Sequence, residues 1–260
     1  MILVFLIALL SSVAGAICGI GGGVVIKPVM DMFRIDSVAA ISFLSGCTVL
    51  SMSCYSVGRT MLAGEGRVDV KTGTPLALGA ALGGLAGKAI FTAVKNLFQQ
   101  PDRVGAIQSA CLAVITLGTL VYTICKARIP TRRLTTPAVC CAIGLALGIC
   151  SSFLGIGGGP INLVVLYYFF SMDTKTAAAN SLYIILFSQL ASLLSTLATG
   201  TVPDFQPLML VWMIAGGIGG GVIGRACSRR MNDRAVEKLF MGLMGVIILI
   251  SLWNSFRFAG

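Results

Sequence analysis

Residues Gly19-Ile20-Gly21-Gly22-Gly23 return 136 positions later as Gly155-Ile156-Gly157-Gly158-Gly159, each time in the middle of a long apolar run. Three consecutive glycines are a poor helix interior, each costing about 1 kcal/mol relative to Ala. Helices usually cross bilayers because every backbone group must be satisfied inside lipid. A helix broken at membrane depth is tolerated only where its bare backbone faces protein or a wet cavity, so a doubled break points to a binding site.

The surrounding composition says which solvent applies. Of 260 residues, 57% are apolar and 11% charged, and the mean hydropathy is +0.95. Soluble domains carry roughly a quarter charged residues, and several runs here reach the roughly 20 apolar residues that cross a bilayer. The expected class is an all-α polytopic membrane protein. The net charge of +10 then describes loops and topology; the scattered basic residues lack the platform of a nucleic-acid binder, so no nucleic-acid partner is expected. There is no His, which removes the commonest metal ligand and the ordinary near-neutral proton shuttle. The nine Cys form no Cys-x-x-Cys pair and read as small buried hydrophobes. No metal, cofactor, catalytic centre or nucleotide motif is expected.

Taken in order, the chain reads as two copies. The first comprises residues 2–17, the glycine break, a short stretch 24–33 and long segments 37–63, 75–98 and 104–125, with 64–74 a polar loop. Residues 1–16 resemble a secretory signal ending in an A-x-A-like pattern, but no Lys or Arg precedes the apolar core and 138–152 is its counterpart, so it is expected to be retained. Residues 126–133 form a basic connection. The second copy runs 134–153, break, 160–170, 174–199, 205–227 and 235–253. The expected division is 1–125, 126–133 and 134–260. Gly79, Gly83 and Gly87 before Lys88 match Gly216, Gly220 and Gly224 before Arg225; both ladders read as packing seams. Ala39 to Ser42 is matched with Ala177 to Asn180.

Topology follows from charge. If each half crosses four times, the Lys and Arg divide 8 against 11; if the glycines turn the chain back, they divide 13 against 6. The second arrangement is expected: two inverted repeats, each a glycine-broken helix/half-helix hairpin plus three long transmembrane helices, with both termini outside a cell membrane (plasma or bacterial inner). A helix that begins at membrane depth offers unpaired N–H groups and a positive dipole end, and Pro160 suits a first helical turn. Gly19, Gly21, Gly22, Gly23, Gly155, Gly157, Gly158 and Gly159 are therefore the candidate backbone site for one small anion. Ser42, Asn180 and Ser181 are candidate donors, with Gln189 and Asn162 weaker. Lys88 and Arg225 are candidate anion guides, as is Lys27, whose charge opposes the dipole of the first short stretch and whose counterpart is Leu163. Asp31, Asp36 and Asp173 are candidate proton-coupling carboxylates that read rather as loop residues flanking the short helices.

Two Gly-x-Gly-Gly-Gly copies, each closing an apolar segment and followed by a short stretch and an Ala-rich segment with a Ser/Asn centre, resemble the TauE/SafE sulfite exporter family over residues 3–255. The resemblance implies a secondary carrier, not an enzyme, for sulfite, thiosulfate or organosulfonates without ATP hydrolysis. A coupling ion (proton or sodium), contact with membrane lipid and a homo-oligomer belong to that expectation. The residues alone reach a small anion at paired helix N-termini. A membrane thiol-redox protein and an anion channel are the alternatives.

Overall fold

The computed structural model describes residues 1–64, 68–97, 101–154 and 158–259. It holds ten α-helices and, among the described residues, no strand: α1 (Ile2–Cys18), α2 (Gly23–Phe33), α3 (Val38–Leu62), α4 (Val70–Leu97), α5 (Pro101–Cys125), α6 (Pro137–Leu154), α7 (Gly159–Phe170), α8 (Thr174–Ala198), α9 (Pro207–Arg230) and α10 (Asp233–Ala259). Seven are long and apolar enough to cross a membrane: α3 to α6 and α8 to α10. The two short helices α2 and α7 follow the glycine breaks, where the repeat puts them.

Helix starts obey local chemistry. Ser37 caps α3 by accepting from the Ala40 N–H at 3.2 Å, and Asp173 caps α8 by accepting from the Thr176 N–H at 3.2 Å. Burial works to raise the Asp173 pKa, but bonds from Thr176 and neighbouring amides outweigh it and hold the carboxyl below its ordinary value. These caps stand 136 positions apart, as the glycine breaks do. That spacing pairs Ser45 with Ser181 and Ser42 with Ala178, so the Ser42–Asn180 match is two residues out of register. Small-residue similarity had slid along an Ala-rich stretch; the caps, tied to a chain reversal, do not slide.

The helix after the first polar loop also starts earlier than expected. Proline suits a first turn, and residue 75 was read as the start, yet α4 begins at Val70 with Pro75 inside it. Asp69 explains this: its Oδ1 accepts the Lys71 N–H at 3.1 Å, and the Thr72 hydroxyl donates to its Oδ2 at 2.7 Å.

Packing crosses between the halves. α1 lies along α9 and α6 along α4; α5 pairs with α10; α3 touches α8 and α9, and α8 touches α3 and α4. Exchanging each helix for its counterpart five elements on leaves this pattern unchanged. The glycine ladders are the seams. A Cβ added at Gly83 would stand 2.8 Å from the Leu145 carbonyl carbon, and one at Gly220 2.6 Å from the Leu9 carbonyl oxygen. Along one seam Gly79, Gly83 and Gly87 meet Cys141, Leu145 and Ile149 in turn; along the other Gly216, Gly220 and Gly224 meet Phe5, Leu9 and Val13. Each seam is thus a pair of helices running side by side in the same direction. Lipid offers no hydrophobic drive between helices, so close backbone contact must do the work. Gly83→Leu is expected to force α4 and α6 apart, at a cost of about 1–3 kcal/mol or more; the yield of folded protein in detergent gel filtration checks it.

Candidate anion site

The site is built from the two breaks outward. α1 ends on Gly19, and the chain turns back through Gly21, whose φ of 73° is a left-handed conformation that favours glycine. A Cβ on Gly21 would stand 3.3 Å from Val49 Cγ1 and 3.4 Å from Ile185 Cδ1. Val49 and Ile185 lie half-way along the two 25-residue helices α3 and α8. The first break therefore sits at mid-height of the bundle. The second meets the same helix: Gly158, at φ 107°, would carry a Cβ 3.1 Å from Ile185 Cγ1.

The two half-helices meet at their N-terminal ends. Gly159, the first residue of α7, packs on the side chain of Val24, the second residue of α2. Gly22 lies against Ser12, whose Oγ would be 2.9 Å from an added Cβ. Two positive dipole ends are thus brought together, with Gly21, Gly22, Gly23, Gly158 and Gly159 around them. Gly155 and Gly157 lie outside the described residues. Gly19 stands slightly apart, against the Ala178 backbone near the start of α8.

Two polar side chains touch this junction, Ser12 against Gly22 and Asn162 against Gly158. Asn162, in the first turns of α7, is 1% exposed, and neither its amide nitrogen nor its oxygen has a partner among the described residues. The hydroxyls of Ser12, Ser45 and Ser181 are buried and equally unpartnered. A buried polar group left without a partner costs about 1–3 kcal/mol, so Asn162 and Ser12, beside the two helix N-termini, are candidate ligand donors. Asn180 already has protein partners: its Oδ1 accepts the Asp69 N–H at 3.0 Å and its Nδ2 donates to the Thr176 carbonyl at 2.8 Å. It ties the start of α4 to α8.

Ser42 and Lys88 lie elsewhere, in a cavity of about 390 Å³ that also holds Phe43, Gln108, Ser152 and Gln189. None of the described break glycines lines it. Lys88 Nζ donates to Thr196 Oγ1 at 2.5 Å and Thr201 Oγ1 at 3.4 Å. Gln108 Nε2 donates to the Phe153 carbonyl at 2.7 Å, two residues before the second break. Arg225 lies in a second, smaller recess of about 50 Å³. There it donates to the Ser56 carbonyl at 3.2 Å, the Arg59 carbonyl at 3.1 Å and the Thr60 hydroxyl.

Lys27 is not at the junction's disposal. It donates to Asp31 Oδ2 at 2.9 Å, one turn along α2, and both side chains are at least 96% buried. Asp31 is therefore no loop carboxylate. The i, i+4 spacing of Lys27 and Asp31 within the short stretch 24–33 carries the signal for this pair. Ser12, Ser152 and Gln108 were missed outright, since a buried orphan looks like any other serine or glutamine in a sequence.

The cysteines form no disulfide; all nine are free, and Cys18 and Cys150 border different breaks.

A family model described as Sulfite exporter TauE/SafE matches residues 4–251. The chain is 30% identical over 109 residues to "Probable membrane transporter protein YunE" of Bacillus subtilis (strain 168), a stretch covering 42% of this chain and 38% of that protein. It is 30% identical over 112 residues to "Probable membrane transporter protein MamO" of Paramagnetospirillum magneticum (strain ATCC 700264 / AMB-1), covering 41% of this chain and 18% of that one. The matches thus span less than half the length of these relatives. No solved structure matches the chain.

Proposed function

Because the chain belongs to the sulfite exporter TauE/SafE family of membrane proteins, we propose that it is a secondary carrier for a small sulfur-containing anion. Sulfite, thiosulfate and organosulfonates are the candidate substrates. The observation that carries this reading is the meeting of two half-helix N-termini at Gly159 and Val24, beside an Asn162 whose donor and acceptor are both unused. Such ends accept anions through backbone N–H groups and dipole, and buried amides and hydroxyls add hydrogen bonds without adding charge.

Alternating access between two inverted repeats is part of the proposal, with repeats at 1–125 and 134–260 joined through 126–133. Its support is the direction of packing. α1 runs with α9, and α9 with α3, where Gly217 and Gly221 meet Thr48 and Met52. α6 runs with α4, and α4 with α8, where Gly84 meets Ser188 and Lys88 meets Thr196. The first turns of α3 and the last turns of α4 share one cavity, so these two sets run in opposite senses. Counterpart helices then point opposite ways, and the charge bias places both termini outside a cell membrane.

A thermal-shift titration with sulfite, thiosulfate, sulfate, taurine, a longer sulfonate and chloride tests the substrate. One sulfur anion is expected to stabilise selectively, by about 2.7 kcal/mol at one hundred times its dissociation constant. Equal shifts with every anion, or none, would remove the sulfur assignment. Replacing all nine Cys by Ser or Ala is expected to leave uptake intact; loss of uptake would favour a thiol-redox function instead. Uptake driven uphill by a proton or sodium gradient separates a carrier from a channel.

A further inference from the structure

The large cavity and the small recess share a construction. Lys88 lines the first and Arg225, 137 positions on, lines the second. Thr196, which accepts from Lys88, stands 136 positions after Thr60, which accepts from Arg225. Ser192 answers to Ser56 at the same spacing, and each lines its own cavity. Unrelated pockets in a duplicated chain would not draw cation, Thr and Ser from equivalent positions.

Their states differ. One holds about 390 Å³ and the other about 50 Å³. The cation in the open one bonds two hydroxyls, Thr196 and Thr201, whereas Arg225 in the shut one reaches across to two backbone carbonyls of α3 as well as Thr60. Where the open cavity has Gly46, the shut one has Leu182. The shut recess also takes in Lys175 and Arg229, on the face richest in basic residues.

We propose that these are one anion vestibule built twice, open at Lys88 and shut at Arg225, so that this structure is one end state of the transport cycle, facing outward. This rests on the carrier reading. From equivalent positions both vestibules offer an oxyanion a cation, a threonine hydroxyl and a serine, and the glycine junction lies between them at mid-height. In the opposite end state Lys88 reaches backbone carbonyls of α8 as well as Thr196, and Arg225 releases the α3 carbonyls. Equal and opposite rearrangements are what a duplicated scaffold permits, since each half can adopt the conformation of the other.

The test is labelling of single cysteines, placed at equivalent lining positions in a cysteine-free background, in right-side-out proteoliposomes. Phe91→Cys in the open vestibule is expected to react with an impermeant thiol reagent from outside on the order of tenfold faster than Ser228→Cys reacts from either side. Gly46→Leu supplies the side chain that fills the shut vestibule and should reverse that order. Leu182→Gly removes the filler, raises the Ser228→Cys rate from inside, and serves if Gly46→Leu does not fold. Comparable rates for both cysteines in the parent background would overturn the proposal, as would an order that neither substitution moves. The two readings fail separately. Asymmetric labelling without a sulfur-anion thermal shift leaves the vestibules standing with another anion; a selective shift with symmetric labelling leaves the substrate standing without the gates.

Discussion

Gly22→Val and Gly158→Val are expected to abolish transport while the protein still inserts, because insertion follows segment apolarity and neither change alters it enough to matter. The two act differently. Gly22 has an ordinary helical backbone, φ −64°, and its added side chain would press on Ser12, moving α1 away from the junction. Gly158, at φ 107°, adds backbone strain of about 1–3 kcal/mol to overlap with the Asn162 amide, 2.7 Å from the added Cβ. Unchanged flux in both variants would remove the glycine junction as the site. Asn162→Leu makes the sharper companion. It replaces an unpartnered amide by an apolar group of similar volume, so the protein is expected to become more heat-stable by about 1 kcal/mol or more. Anion affinity should fall about 10- to 100-fold for the lost hydrogen bonds. A structural asparagine would give the opposite pair of results, lower stability and unchanged affinity, in the same thermal-shift titration.

Breaking the Lys27–Asp31 pair is the second large effect. Lys27→Met leaves Asp31 buried and unpaired, and Asp31→Leu does the same to Lys27; each is expected to cost about 3–5 kcal/mol. The double variant Lys27→Met, Asp31→Leu should return close to the parent stability, because two apolar side chains remove the desolvation cost of both charges. Transport is expected to survive in the double variant, since the equivalent positions of the other repeat hold Leu163 and Tyr167 and the site at the junction is built without an ion pair. Detergent thermal denaturation of the three variants gives the coupling, and proton- or sodium-driven uptake gives the function. Loss of uptake in a stable double variant would make Asp31 a coupling carboxylate.

Much of this architecture was legible because it is written in local or repeated signals. Segment lengths mark the spanning helices, since bilayer thickness sets them. The glycine ladders ahead of Lys88 and Arg225 mark seams, since only a missing Cβ lets helix backbones touch in lipid. The doubled break marks the two chain reversals at mid-height, since three glycines make a poor helix interior. The partners of Asn180 were not legible for the opposite reason. Whether an amide is free or bonded to Asp69 depends on neighbours that the sequence does not list.

Sequence alone determined that this chain is a helical membrane protein with two copies of a glycine-broken unit, because apolarity, length and repetition act along the chain. Only the tertiary structure decided that the two half-helices meet through Val24 and Gly159, that Asn162 has no partner among the described residues, and that the cavity at Lys88 and the recess at Arg225 differ in volume, about 390 Å³ against 50 Å³. A duplicated sequence is nearly symmetric in its demands. Which copy holds the larger cavity therefore depends on contacts between distant segments, and those exist only in space.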